Sequence, residues 1–397
     1  MRTIAWDISP EEFRRVLRTL RFRYFKWDAF TCGALRLLPE SIVLSAEEHR
    51  TVVETAERLA AALRRLERTV RSRPELLARL GIPSAVAELI QAEGESDLQL
   101  ARYDFFPTVD GGWAVSEFNE DVPGGFNEAV AAAEVLGPFH DGFHLGNEFA
   151  AAFRRALPAD GTVALMYATG YSEDLQHMLV LESLLRDRVQ KTVFCAPAHL
   201  EMRRSRPIVG GEPISAVVRF YPGEWFRYLS NCRTWRRVLP ELPVMNPFGR
   251  LISQSKRVFA LWNEPALVPD GDRALFASVT PHTEYFGERH VKPLRAEPAA
   301  WVLKESFGRM GDSVTMGSLV PAREWEEAIG HARKQPDRFV VQRCFRAARL
   351  DFAAGLLFPA IGVYLINGRF AGYYSRVATL PFLTHQASYV PTVVEAA

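Results

Sequence analysis

The chain has 397 residues, with 48 Lys or Arg against 47 Asp or Glu, for a net charge of +1. That length exceeds one simple core and suits two or three interleaved subdomains, while the charge balance removes the electrostatic argument for a dedicated nucleic-acid or membrane-surface protein. Cys32, Cys195, Cys232 and Cys344 form no Cys-x-x-Cys pair, and no run of roughly 18 apolar residues or signal-peptide core is present, so the expectation is a cytoplasmic chain with reduced thiols and no membrane span.

Residues 10 to 90 read mostly as helix. Pro10 with Glu11 and Glu12 makes a first turn, and Ser45 with Glu48 is a capping-box pattern. Val52, Val53, Ala56, Leu59, Leu63, Leu66 and Val70 then recur at intervals of three and four, which predicts one long helix with a buried stripe. The stretch Arg21 to Trp27 interleaves cations with aromatics. It reads either as an anion-recognising segment or as a partly buried helix face with snorkelling cations.

The stretch Arg102 to Gly125 carries the chemistry. Two runs rich in aromatics and valine flank Asp110-Gly111, the dipeptide that favours a two-residue hairpin turn. With that turn Asp104 falls opposite Glu117 and Arg102 opposite Asn119, and a turn at Gly111-Gly112 changes the partners but not the shared face. Side chains alternate, so the four polar groups lie on one side and Tyr103, Phe105 and Phe118 on the other. Two facing carboxylates repel unless a cation lies between them. Arg102 supplies part of that charge, and two carboxylates with a carboxamide are hard oxygen ligands of the kind magnesium takes beside phosphate oxygens. The alternative is a solvated hairpin face of mixed charge.

Pro123-Gly124-Gly125 ends the strand and Asn127 to Leu136 resumes as helix. His140 and His144 have the spacing of a zinc pair, but no Glu stands in the general-base position and Gly142 weakens a helix there. Thr162 to Tyr167, a helix capped by Ser172 and running to about Arg188, and Thr192 to Cys195 form a βαβ unit. Its strand-to-helix loop suits a carboxylate or phosphate, although the dinucleotide glycine fingerprint is missing. Cys195 reads as a buried small residue rather than a nucleophile. Ala216 to Tyr221 is a further strand, and the proline-rich passage from Leu239 to Phe248 a crossing between subdomains.

The last part holds a second chemical signal. Trp301 to Lys304 is a strand ending in lysine, followed by the loop Ser306 to Gly311 and the strand-like Ser313 to Met316. A lysine beside a glycine-containing loop is one way to hold a triphosphate, and an ordinary hairpin loop looks the same. Phe339 to Gln342 is a short strand, and Ile361 to Tyr374 a hairpin through Asn367-Gly368 that leads to Arg376.

In this order the residues resemble circularly permuted ATP-grasp proteins, in particular the synthetase domain of glutathionylspermidine synthase and its relatives. Arg102, Asp104, Glu117-Phe118-Asn119 and Pro123-Gly124 come first. Val218 to Pro222, Ser255 to Trp262, Val302-Leu303-Lys304, Gly308 to Gly311, Gln342 and Gly372 to Arg376 follow. The resemblance implies an α+β or α/β chain with the ATP-grasp fold in permuted order. A helical N-terminal region plus metal-binding hairpin would occupy 1–157, a βαβ substrate-binding subdomain of pre-ATP-grasp type 158–250, and the nucleotide-binding part 251–397. It further implies that Asp104, Glu117 and Asn119 bind Mg2+, and that Lys256 and Lys304 hold the phosphates of ATP. Gly308, Met310 and Gly311 would belong to the closing loop, and Gln342 would lie near the adenine, beside Arg343 where an acidic residue is common. Arg102 and Arg376 would stabilise the transferred phosphoryl group. The implied activity is a carboxylate-amine ligase working through an acyl phosphate on small-molecule carboxylate and amine substrates, with no room for the cysteine amidase domain of bifunctional relatives. A small-molecule kinase, or a nucleotide-binding protein without turnover, would share the same phosphate site.

Overall fold

The computed structural model describes residues 1–31, 33–136, 142–187, 191–308 and 313–396. Cys32, His140, Met310 and Gly311 lie outside them.

The N-terminal helices form for the reasons their sequence states. Ser45 caps the helix Ala46–Val70 in a reciprocal box with Glu48, and Val52, Ala56, Leu59, Leu63, Leu66 and Val70 are buried along one stripe with Val53 half-buried beside it. Burying each such Leu or Val contributes about 1.5–3 kcal/mol, so the stripe and not the caps holds this helix. The first helix, Pro10–Arg23, is capped by Ser9 in a second reciprocal box with Glu12.

Three sheets position the site. The largest is antiparallel and runs Ser388–Val390, Arg369–Ala378, Gly355–Ile366, Leu100–Pro107, Trp113–Asn119, with Leu350–Phe352 added to the end of Gly355–Ile366. Its two halves come from opposite ends of the chain, joined where Gly362 pairs with Asp104 and Tyr364 with Arg102. A second antiparallel sheet has the order Thr283–Tyr285, Phe339–Arg343, Trp301–Glu305, Val314–Met316. The third is parallel: Val244–Met245, Ala216–Phe220, Thr162–Tyr167, Lys191–Cys195. The expected βαβ unit is its centre, with the helix at Ser172–Leu185; Ser172 is the first helical residue and not the cap, a place Tyr171 takes without a side-chain hydrogen bond. Near the termini Arg2–Ala5, Glu40–Leu44, Thr392–Glu395 and Phe143–His144 form another four-stranded sheet. His144 is thereby a strand residue paired with Val394.

The two hairpins of the large sheet turn differently. Asn367 and Gly368 both have positive φ, 51° and 76°, and close the expected two-residue turn between Ile366 and Arg369. At the other hairpin the loop is three residues, Val109, Asp110 and Gly111: the Thr108 amide donates to the Gly112 carbonyl at 3.0 Å, and Gly111 takes φ 83°. The register near the turn is therefore one residue from the expected one. A bulge that sets Ser116 and Glu117 against the single residue Asp104 restores it, so Arg102 pairs with Asn119 as expected while Asp104 does not face Glu117 squarely.

Beneath the hairpin Tyr103, Phe105 and Phe118 are buried. Phe118 stacks on Phe259 with ring centroids 5.1 Å apart, and Phe276 closes the same cluster.

Candidate active site

Arg102 and Asp104 are 7% and 1% exposed, which rules out a solvated hairpin face. The Arg102 Nε donates to Asp104 Oδ1 at 2.8 Å and a second guanidinium nitrogen to Oδ2 at 3.1 Å, a two-pronged contact. Arg376, two strands away, donates to Oδ2 at 2.7 Å, and the Asn119 amide approaches the same oxygen at 3.3 Å. Burial works against the charged form of Asp104, but the two arginines outweigh it and hold the carboxyl down to about 2. The clamp needs Gly362: a Cβ there would lie 2.9 Å from the Arg102 side chain and 3.1 Å from Asp104 Oδ1. Sequence reasoning missed this residue. A lone glycine inside the apolar run Ile361 to Ile366 was the available signal for a close approach.

Glu117 sits in other company. It is half-buried, and Lys256 Nζ lies 3.5 Å from its Oε2. Phe118 and Phe259 explain this placement, because their stacking below the sheet brings the segment that begins at Lys256 under the end of the hairpin. Lys256 also donates to the Gly308 carbonyl at 2.7 Å, and its amide donates to the Ser306 carbonyl at 2.9 Å. Lys304 crosses from the second sheet to the hairpin, donating to the Ser116 carbonyl at 3.2 Å. Burial, with Lys256 adding to it and Glu117 opposing, pushes the Lys304 ammonium down to about 8. Burial also opposes the charge on Glu117, but Lys256 foremost and then Lys304 keep its carboxyl below the usual range.

The expected shortage of positive charge is thus absent. Four cations, Arg102, Arg376, Lys256 and Lys304, face two carboxylates, Asp104 and Glu117, so the group of six carries a surplus of two positive charges and lacks an anion. The donor chemistry still fits magnesium: two carboxylates and a carboxamide offer hard oxygens, and the fit is to an ion that takes its other ligands from phosphate. Among the described residues no cluster of three His, Cys, Asp or Glu side chains could hold a metal by itself.

Two clefts flank this centre. One, narrow and of about 40 Å³, opens between the large and second sheets, lined by Phe106, Ser116, Lys304, Met316, Gln342 and Phe345. Gln342 is 2% exposed and donates through Nε2 to Thr283 Oγ1 at 2.8 Å, so its amide braces the cleft wall. The other cleft, about 360 Å³, lies on the far side of Arg376, with Lys26, Asp28, Arg36, Glu128 and Tyr374 among its walls. Lys26 reaches Asp28 at 2.8 Å and Glu128 at 2.7 Å. Of the two readings of Arg21 to Trp27, the partly buried helix face is not found: Arg21 to Arg23 are helical but exposed, Phe22 at 71%, whereas Lys26 lies beyond the helix and faces the cleft. Cys195 is buried at a strand end, and burial pushes its thiol up to about 12, the inert state expected of it.

Comparison with known proteins now decides the family. The family model described as glutathionylspermidine synthase preATP-grasp matches residues 24–395. The chain belongs to that family. Membership puts it among ATP-grasp-like, ATP-dependent ligases at the general level. A glutathione synthetase-like effector (GSS30) from Globodera pallida, solved in its apo form, is similar at a TM-score of 0.61 and 12% identity, over 97% of this chain and 98% of that one. At that identity the likeness shows a shared mixed α/β fold. A Methylobacillus flagellatus KT protein provisionally named gamma-glutamylcysteine synthetase aligns at a TM-score of 0.41 and 12% identity, over 84% of this chain and 86% of the other. No curated protein matches the sequence. Among the described residues no helix is long and apolar enough to cross a membrane.

Proposed function

We propose that this member of the glutathionylspermidine synthase preATP-grasp family joins a small-molecule carboxylate to an amine through an acyl phosphate, releasing ADP and phosphate. One observation carries the reading: three cations from two different sheets and Lys256 from the helical segment after Gln254 converge on two carboxylates and leave a surplus of positive charge beside a cleft between those sheets. A triphosphate with its metal is the anion this surplus fits.

In this reading ATP with Mg2+ supplies the phosphoryl group that turns a poor electrophile into an acyl phosphate. The chain's own residues do the rest. Asp104, Glu117 and Asn119 offer the oxygens that hold the metal, and Lys256 and Lys304 draw the phosphates toward the hairpin. Gly308, Met310 and Gly311 are assigned to the same phosphates by the resemblance, and Gln342 braces the cleft in which the adenine lies. Arg102 and Arg376 face the charge that develops between donor and acceptor, where fixed positive groups act most strongly once water is excluded. The cleft beyond Arg376 receives the carboxylate and the amine. No side-chain nucleophile is called for.

The order of these parts supports a circularly permuted ATP-grasp arrangement. The oxygen-bearing hairpin precedes the lysine-bearing sheet in sequence, yet its own sheet is completed by Gly355–Ile366 and Arg369–Ala378. The proposed division keeps 1–157 as helices plus hairpin, 158–250 as the βαβ substrate subdomain and 251–397 as the nucleotide part. Free Cys195, Cys232 and Cys344 suit a reducing cytoplasm.

The test is a phosphate-release assay over a panel of carboxylates and amines, with mass spectrometry of the products. ADP and an amide are expected. AMP with pyrophosphate would refute the reading, since the lysines and oxygens serve the terminal phosphate. Phosphate transfer indifferent to any amine would favour a small-molecule kinase.

A further inference from the structure

We infer that His177 is a positioning residue for the phosphoryl-facing arginine Arg102, acting through the peptide unit between Gly124 and Gly125. That unit is held from both sides. Its carbonyl oxygen accepts from Arg102 at 2.6 Å and from the Tyr364 hydroxyl at 2.6 Å, while its N-H donates to His177 Nε2 at 3.0 Å.

The histidine can play only one part there. Its Nδ1 lies 2.8 Å from the Glu173 carbonyl oxygen, which can only accept, so Nδ1 carries the proton. Nε2 is then bare and accepts from the Gly125 amide. The ring is held flat against Phe220 and edge-on to Phe126. Burial pushes the imidazole down to about 4, against the pull of the Glu173 carbonyl, which keeps the ring neutral.

A Gly-Gly peptide has little of its own to resist rotation. Gly125 takes φ 91°, and a Cβ on it would meet the Tyr374 ring at 2.4 Å, so a stiffer residue has no place there. Were the unit to flip, its N-H would point at the Arg102 guanidinium and its oxygen at His177. The acceptor on His177 disfavours that flip, and with it the loss of the contact that fixes the third guanidinium nitrogen of Arg102 while the other two hold Asp104. Outer contacts of this kind commonly matter by one or two orders of magnitude.

The kinetic part of the test rests on the proposed ligase reading. Gln places its amide oxygen about as far out as Nε2, whereas Asn reaches only as far as Nδ1. The expectation is that His177→Asn lowers kcat roughly ten- to a hundredfold with KM for ATP little changed, and that His177→Gln recovers most of the loss. Wild-type kcat in His177→Asn, or equal loss in both variants, overturns the inference. A second measurement uses the unaltered protein and needs no activity: nitrogen-15 NMR of the imidazole at neutral pH should show the Nδ1-H tautomer. An Nε2-H tautomer or an imidazolium at His177 overturns it. If no carboxylate and amine support turnover, the ligase reading fails and the tautomer alone decides the role of His177.

Discussion

Asp104 and Glu117 stand on one face of one hairpin, yet their charges are balanced in different ways. Both partners of Asp104 belong to its own sheet, and the group is buried. The partners of Glu117 come from elsewhere: Lys256 follows a helical crossing, and Lys304 lies on the second sheet. The first arrangement is complete once the large sheet has paired. The second depends on how closely two sheets approach, and its cation stands at 3.5 Å from a half-buried carboxylate. The contrast separates a clamp that is part of the fold from a contact that a ligand can rearrange.

Removing the clamp's centre should have the largest effect. Asp104→Asn leaves Arg102 and Arg376 without their counter-charge in a buried place, which commonly costs about 3–5 kcal/mol. Chemical denaturation at pH 7 should read that loss, together with loss of ATP turnover. The pH dependence has a definite sign. The folded-state carboxyl of Asp104 is held below its ordinary value, so its contribution is fully present above that value and is lost as pH falls through about 2. An Asp104→Asn protein as stable as the parent would remove the distinction between the two carboxylates.

Lys304→Ala should come next, and in the opposite sense. A lysine that burial already disfavours contributes little to folding, so the melting temperature should barely move. Turnover should fall on the order of a hundredfold or more, since a preorganised charge is lost where negative charge develops. A drop in stability with unchanged nucleotide affinity would make Lys304 a structural partner of the hairpin. Glu117→Gln should show the same split on a smaller scale. Its carboxylate stands 3.5 Å from Lys256 and keeps about a third of its surface exposed, so the loss of stability should be smaller than in Asp104→Asn, while metal-dependent activity should be severely reduced.

The smallest effect sharpens the comparison from the lysine side. With its ammonium at about 8, Lys304 loses its proton earlier on raising the pH than an ordinary lysine, and a bound triphosphate favours the charged form. Binding of Mg-ATP above pH 8 should therefore take up a fraction of a proton and weaken as pH rises, whereas at pH 7 there should be little uptake. Calorimetry in buffers of different ionisation enthalpy measures this. Uptake that persists in Lys304→Arg would assign the proton to another group.

The elements were legible in the sequence where local chemistry settles them. The Ser45 capping box, the apolar stripe from Val52 to Val70 and the Asn367-Gly368 turn need only neighbours within a few residues. The alternation that put Arg102, Asp104, Glu117 and Asn119 on one face and Phe118 on the other was readable for the same reason, because a strand's period does not depend on its partners. The order of Lys256, Lys304, Gln342 and Arg376 after the hairpin was readable only by resemblance.

Tertiary structure decided the rest. A two-residue turn and a three-residue turn with a compensating bulge are both common ways to close a hairpin, and the observed one is joined by contacts from beyond the hairpin: the Val109 amide bonds to the Arg346 carbonyl and the Ala348 amide to that of Pro107. The sign of the site's net charge also depended on distance in space. In sequence Asp104 and Glu117 are short of a cation, because Arg376 is 272 residues from Asp104 along the chain, and Lys256 reaches Glu117 only through the packing of Phe118 on Phe259. Coulomb energy falls with separation in space and takes no account of separation in sequence. The identity and order of the proposed site residues were therefore written in the sequence, and the balance of charge among them was decided by the fold.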